Sequence, residues 1–204
     1  MTRIKICGLK SMEDINIVNK YLPEYIGFVF AGSKRRIDKI TAAALKQELN
    51  KSIKAVGVFV DEPTENIVEL CNENIIDLIQ LHGNEKEEYI SYLKKLVTKP
   101  IIKAVGVDAE SGFLSFEKYR VDYMLYDTAV KGQCGGSGIS FRHTILKEQI
   151  HPFFLAGGLH EGNVIKAIND CKPYCVDVSS GVETDGKKDE SKIKDFINAV
   201  RSLY

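Results

Sequence analysis

Eight short apolar runs recur along the chain. They fall at residues 3–7 (RIKIC), 25–30 (YIGFVF), 54–60 (KAVGVFV), 75–81 (IIDLIQL), 100–107 (PIIKAVGV), 121–126 (VDYMLY), 152–156 (PFFLA) and 175–179 (CVDVS). Each is short and rich in β-branched or aromatic residues, so each reads as a strand. Several are apolar on both faces, as strands of a covered parallel sheet must be. Between them lie polar segments whose apolar positions repeat at helical spacing, at 11–21, 41–50, 64–74, 86–95, 111–118, 140–148, 162–169 and 188–202. The first opens on Ser11 with Glu13 and Asp14 behind it, a helix-start signal.

Strands alternating with helices imply parallel βαβ units with right-handed crossovers. An open doubly wound sheet usually has five or six such units, whereas eight closing on themselves make a TIM barrel. No Pro-, Gly- or Ser-rich linker interrupts the pattern. The expectation is α/β, a single (β/α)8 TIM-barrel domain over residues 1–204, lean for that fold.

Composition narrows the function. The 204 residues carry 28 basic and 28 acidic side chains, a net charge of zero, with 44% hydrophobic and 27% charged residues. That balance excludes disorder as the main state and leaves no basic excess to neutralise nucleic-acid phosphates. No apolar run approaches the ~20 residues needed to span a membrane, and the first residues, MTRIKICGLK, have no secretory stretch. The expected address is the cytoplasm. The five cysteines, Cys7, Cys71, Cys134, Cys171 and Cys175, are odd in number and irregularly spaced, unlike a disulfide framework. Cys171 and Cys175 supply half a zinc site at most, so no metal is expected.

A barrel keeps its active site at the C-terminal strand ends. There the sequence gathers Cys7-Gly8 after strand 1, Ser33 to Arg36 after strand 2, His82-Gly83 after strand 4, and Asp127 after strand 6. Gly157-Gly158 follows strand 7 and Ser179-Ser180-Gly181 follows strand 8. Glycines with exposed backbone N–H groups near a helix start make an anion site, and these two loops bind phosphate in many barrels. Asp127 is either a turn or helix-capping carboxylate or, among apolar walls, a general acid. Cys7 is either a small buried residue or, beside a phosphate pocket, a base. An arginine fork at the rim suits a carboxylate. Residues 132–138 (GQCGGSG) read as a lid; their glycines do not directly follow a strand, which speaks against a dinucleotide site.

Taken in order, KICGL at 5–9, GFVF at 27–30, Ser33-Lys34-Arg35, VGVFV at 56–60 and QLHG at 80–83 resemble the phosphoribosylanthranilate isomerases of tryptophan biosynthesis. Asp127, GGSG at 135–138, LAGGL at 155–159 and VDVSSGVE at 176–183 extend the resemblance over nearly the whole chain. It implies a cofactor-free Amadori rearrangement of N-(5-phosphoribosyl)anthranilate to 1-(2-carboxyphenylamino)-1-deoxyribulose 5-phosphate. It further implies Cys7 as general base, Asp127 as general acid and Arg35 on the anthranilate. Lys34 stands where the family has proline, so Arg35 and Arg36 compete for that contact. His82, Gly157, Gly158, Ser179, Ser180 and Gly181 complete the expected substrate contacts. The implied partner is a small phosphorylated molecule, with no nucleic acid and no membrane, and the chain is a monomer or homodimer.

Three other readings compete. Indole-glycerol-phosphate synthase depends on lysine and glutamate at strand ends; Lys5 and Lys103 are present, but the full set is not apparent. The histidine-pathway phosphoribosyl isomerase performs the same rearrangement with two aspartates, which Cys7 on strand 1 disfavours. A non-catalytic barrel binding a phosphate ligand would need the strand 7 and 8 loops but not Cys7 and Asp127 together.

Overall fold

The structure, a computed structural model, describes residues 1–106, 119–127 and 151–204. The expected helices 111–118 and 140–148, the lid 132–138 and Cys134 lie outside the described residues. Eight parallel strands close into a barrel in sequence order. They are β1 Arg3–Cys7, β2 Tyr25–Val29, β3 Lys54–Phe59, β4 Leu78–Leu81, β5 Ile101–Gly106, β6 Tyr123–Asp127, β7 Phe153–Ala156 and β8 Cys175–Val178. Pairing of β1 with β8, Lys5 opposite Asp177, shuts the ring. The described helices around it are α1 Met12–Tyr21, α2 Lys39–Glu48, α3 Thr64–Asn72, α4 Glu87–Leu96, α5 Glu161–Cys171 and α6 Glu190–Arg201. None of them is long and apolar enough to cross a membrane.

The period-2 alternation of the strands sorts their side chains into two cores. Ile4, Ile6, Ile26, Phe28, Ile79 and Leu81 point outward and pack under helix residues such as Ile15, Val18, Ile193, Phe196 and Val200. Each such side chain contributes about 1.5–3 kcal/mol by leaving water. Tyr25, Val56, Leu78, Ile102, Leu125, Phe154 and Cys175 form a separate cluster inside the barrel. Tyr25, Tyr123 and Tyr174 close its lower end around Phe154. Stepping along each strand by two from these residues arrives at the upper rim. The chain thereby aims Cys7, Val58, His82, Asp127 and Asp177 at one mouth.

Local signals set the helix starts. Ser11 accepts a hydrogen bond from the Asp14 amide at 3.2 Å, and Asp14 accepts one from the Ser11 amide at 3.1 Å, a reciprocal cap. Two expected helix starts move by two residues. Helix α2 begins at Lys39 because Asp38 caps it, accepting from the Thr41 amide at 2.8 Å. The helix expected over 188–202 begins at Glu190. Lys188 instead belongs to a two-stranded hairpin, β9 Glu183–Thr184 and β10 Lys187–Lys188, and is buried. In the run 75–81 only Leu78–Leu81 pairs as strand; Ile75 and Ile76 are buried as its lead-in.

Candidate active site

The upper mouth of the barrel holds a cavity of about 400 Å³. All nine residues expected from the sequence line it: Cys7, Arg35, His82, Asp127, Gly157, Gly158, Ser179, Ser180 and Gly181. Arg36 does not line it; its Nε donates to the Phe30 carbonyl at 3.2 Å, which separates the two arginines. The walls between them are Val29, Val58, Val60, Ala156 and Leu159. The lining is thus apolar with a few placed polar groups, as small-molecule sites are.

Cys7 ends β1 opposite Gly27 of β2. A Cβ on Gly27 would stand 2.6 Å from the Cys7 Sγ, so the absence of a side chain there makes room for the thiol. Below the thiol, Lys5 Nζ donates to Asp177 Oδ2 at 2.8 Å, the side chains being 0% and 7% exposed. Burial pushes the Cys7 thiol above its ordinary value; Lys5 and Lys188 pull it back and Asp177 pushes it up further. Burial lowers the basicity of Lys5, yet Asp177 and Cys7 outweigh it and hold the ammonium protonated. Burial likewise pushes the Asp177 carboxyl up against the pull of Lys5.

Asp127 ends β6, and His82 lies across from it, Nε2 3.6 Å from Asp127 Oδ2. That separation is an electrostatic contact, too long for a hydrogen bond. Gln80, buried one step below, lies with its Nε2 2.9 Å from His82 Nδ1 and orients the ring.

The β7 and β8 loops make the wall between Asp127 on β6 and Cys7 on β1. Gly157 and Gly158 both adopt positive φ, 102° and 64°, which L side chains rarely do. Asn163, in the first turn of α5, fixes that turn by donating to the Gly158 carbonyl at 2.9 Å. The N-terminus of α5 is the positive end of its dipole. Gly181 lets the two loops meet: a Cβ there would stand 1.9 Å from the Leu159 carbonyl oxygen. Ser179 Oγ donates to the Cys7 carbonyl at 3.0 Å, tying this wall to the thiol strand.

Arg35 reaches this wall from the loop after β2. It lies over Gly8, where a Cβ would stand 2.4 Å from the Arg35 Cδ. Its Nε and Nη2 donate to Glu183 Oε1 and Oε2, both at 2.7 Å. Lys188 Nζ donates to the same Oε1 at 2.8 Å and to the Ser179 carbonyl at 3.0 Å.

A family model described as N-(5'-phosphoribosyl)anthranilate (PRA) isomerase matches residues 4–199. The chain belongs to that family. It is 49% identical over 203 residues to the N-(5'-phosphoribosyl)anthranilate isomerase of Endomicrobium trichonymphae, covering all of both chains. Among solved structures it matches the phosphoribosylanthranilate isomerase of Thermotoga maritima over 100% of both chains, at 34% identity and a TM-score of 0.89. A second such isomerase structure, at 34% identity and a TM-score of 0.84 over 100% of both chains, is a complex with reduced 1-(o-carboxyphenylamino)-1-deoxyribulose 5-phosphate. The chain is accordingly an isomerase with the TIM-barrel fold.

For a chain of this isomerase family, sequence reasoning missed four charged residues. Lys5, Asp177, Glu183 and Lys188 are all partly or wholly buried around the mouth. The parity of β1 and β8 was the available signal for the first two, since Lys5 and Asp177 share a face with Cys7 and Ser179. Among the described residues, no group of three or more His, Cys, Asp or Glu is arranged to hold a metal ion. The Cys171 thiol donates to the Ala167 carbonyl within its own helix at 3.0 Å, whereas Cys175 lies inside the barrel.

Proposed function

We propose that this chain catalyses the Amadori rearrangement of N-(5-phosphoribosyl)anthranilate to 1-(2-carboxyphenylamino)-1-deoxyribulose 5-phosphate, in tryptophan biosynthesis, as one barrel domain over residues 1–204. Asp127 is the general acid. It delivers a proton to the furanose oxygen, the C1′–O bond breaks, and a protonated Schiff base forms between C1′ and the anthranilate nitrogen. That cation makes the C2′ hydrogen acidic. Cys7, as thiolate, removes it to give an enolamine, whose ketonisation returns a proton to C1′ and leaves the ketone at C2′. Substrate and product are isomers, so no external oxidant, reductant or cofactor enters.

Each group has a reason to sit where it does. β7 and β8 separate β6 from β1 on the shorter way round the ring, so acid and base flank a sugar bound across the mouth. Burial disfavours the thiolate of Cys7, and the ammonium groups of Lys5 and Lys188 favour it and offset part of that cost. His82 bears on the Asp127 carboxylate without bonding it. The Gly157-Gly158 and Ser179-Ser180-Gly181 backbone takes the phosphate beside the start of α5. Arg35, rather than Arg36, takes the anthranilate carboxylate. Holding both ends of the substrate converts binding into orientation, an effect worth several kcal/mol of barrier.

What carries this reading is the convergence of thiol, carboxyl, imidazole and two glycine loops around one cavity. The test is turnover of freshly prepared phosphoribosylanthranilate, followed by loss of its fluorescence, beside the phosphoribosyl amine of the histidine pathway. Rapid turnover of the first and none of the second supports the assignment. No turnover of the first refutes it.

A further inference from the structure

We propose that Glu183 is a positioning residue that sets Arg35 in the pose in which it reads the substrate's carboxylate, and so makes that carboxylate a requirement of the site. This rests on the assignment of Arg35 above and extends it to a residue that touches no reacting atom. A guanidinium has five N–H groups in one plane, arranged along two edges that can each meet a carboxylate with paired bonds. Glu183 takes the edge formed by Nε and Nη2, with two contacts of 2.7 Å. The edge formed by Nη1 and the other Nη2 hydrogen remains for a second carboxylate in the same plane. Because Arg35 lines the cavity, a ligand carboxylate reaches that edge from the mouth.

Glu183 is itself held. Lys188 Nζ donates to its Oε1 at 2.8 Å, and the two side chains are 2% and 6% exposed. Lys188 also bonds the Ser179 carbonyl, and Ser179 bonds the carbonyl of Cys7. The chain of contacts therefore runs from Arg35 through Glu183 and Lys188 to the strand end that carries the thiol. Gly8 completes the seat, since any Cβ there would meet the Arg35 side chain at 2.4 Å. Two cations against one carboxylate leave the cluster one positive charge in excess, which suits an anionic ligand. Without Glu183, a flexible arginine stem over a glycine has no partner to define its plane.

The experiment is a double-mutant cycle with Glu183→Gln, Arg35→Met and the pair, read as KM and kcat for phosphoribosylanthranilate. Glu183→Gln should raise KM about tenfold or more, the worth of one charge-assisted hydrogen bond, and change kcat far less. In the Arg35→Met background the same substitution should leave KM within about twofold, because its effect travels through the arginine. Independent, multiplying effects would overturn the proposal, as would an unchanged KM in Glu183→Gln when Arg35→Met raises it. An unchanged KM in Arg35→Met would instead refute the assignment of Arg35. Melting curves of all three variants identify any loss of fold, and Glu183→Asp offers a second, charge-retaining variant whose KM should lie nearer the wild type than that of Glu183→Gln.

Discussion

Replacing Lys5 with methionine keeps a long, unbranched side chain inside the barrel and removes one charge. Its partner Asp177 stays where it is, 7% exposed, with Oδ2 stripped of its 2.8 Å partner. Its Oδ1 has no hydrogen-bond partner among the described protein atoms to take up the load. A carboxylate stranded in this way costs about 3–5 kcal/mol, or it takes a proton instead. Protonation caps the cost. Relative to an unfolded pKa of about 3.9, neutralising the group costs about 4 kcal/mol at pH 7 and about 1.5 kcal/mol at pH 5. The sign follows from linkage. With its folded pKa raised above the unfolded value, the variant binds an extra proton when folded, so its stability falls as pH rises above about 4. In a chain of this size the loss at pH 7 lowers the melting temperature by about 8–16 °C. Denaturant unfolding of wild type, Lys5→Met and Lys5→Met/Asp177→Asn at pH 5 and pH 7 tests it. The single variant should lose more at pH 7 than at pH 5, and the double should recover most of the pH 7 loss. A deficit below about 1 kcal/mol at pH 7, or one that does not shrink at pH 5, would show that Asp177 is not stranded by the loss of Lys5.

Three further outcomes follow from the same geometry. Gly27→Ala places a Cβ 2.6 Å from the Cys7 Sγ and 3.1 Å from the Cys7 Cα; kcat should fall by about a hundredfold from displacement of the thiol, with the far-ultraviolet circular dichroism unchanged. Gly181→Ala drives the Leu159 carbonyl away and opens the β7 and β8 loops; KM should rise by about tenfold or more while kcat changes less, since the phosphate lies far from the reacting bonds. Burial pushes Glu183 up, but hydrogen bonds from Arg35 and Lys188 bring its carboxyl down to about 2. A depressed folded pKa means stability present above about 4.5 and lost as pH falls toward 2, about 3 kcal/mol in all, so the stability gap between wild type and Glu183→Gln should close between pH 5 and pH 2.

The barrel was legible because its two periodicities are strong. Runs such as KAVGVFV and CVDVS can pair only as strands, and their alternation carries Val58 or Asp177 to the interior whatever the exact boundary. The mouth was legible for the same reason: Cys7 and Asp127 are the last residues of β1 and β6, and His82 directly follows β4. What the pattern could not deliver was the partner of each charge. Lys5 and Asp177 are 172 residues apart, and only barrel closure pairs them. The hairpin of β9 and β10 has two residues per strand, too few for any period to register, so Lys188 was absorbed into the polar start of the following helix. Apolarity also reports burial rather than pairing, which is why Ile75 and Ile76 read as strand although they only lead into it. Which of Arg35 and Arg36 lines the cavity turns on the path of one loop and on the carboxylate of Glu183, neither of which local sequence encodes.

In the proposed mechanism Cys7 and Asp127 divide the proton transfers between them. The most direct measurement is single-turnover decay of phosphoribosylanthranilate fluorescence with wild type, Cys7→Ala and Asp127→Asn at equal, saturating enzyme. Removing either acid or base should slow the decay by about a hundredfold or more, the usual worth of a positioned proton-transfer group, while both variants still bind the product. A variant that retains more than about a tenth of the wild-type rate would contradict the role assigned to that residue.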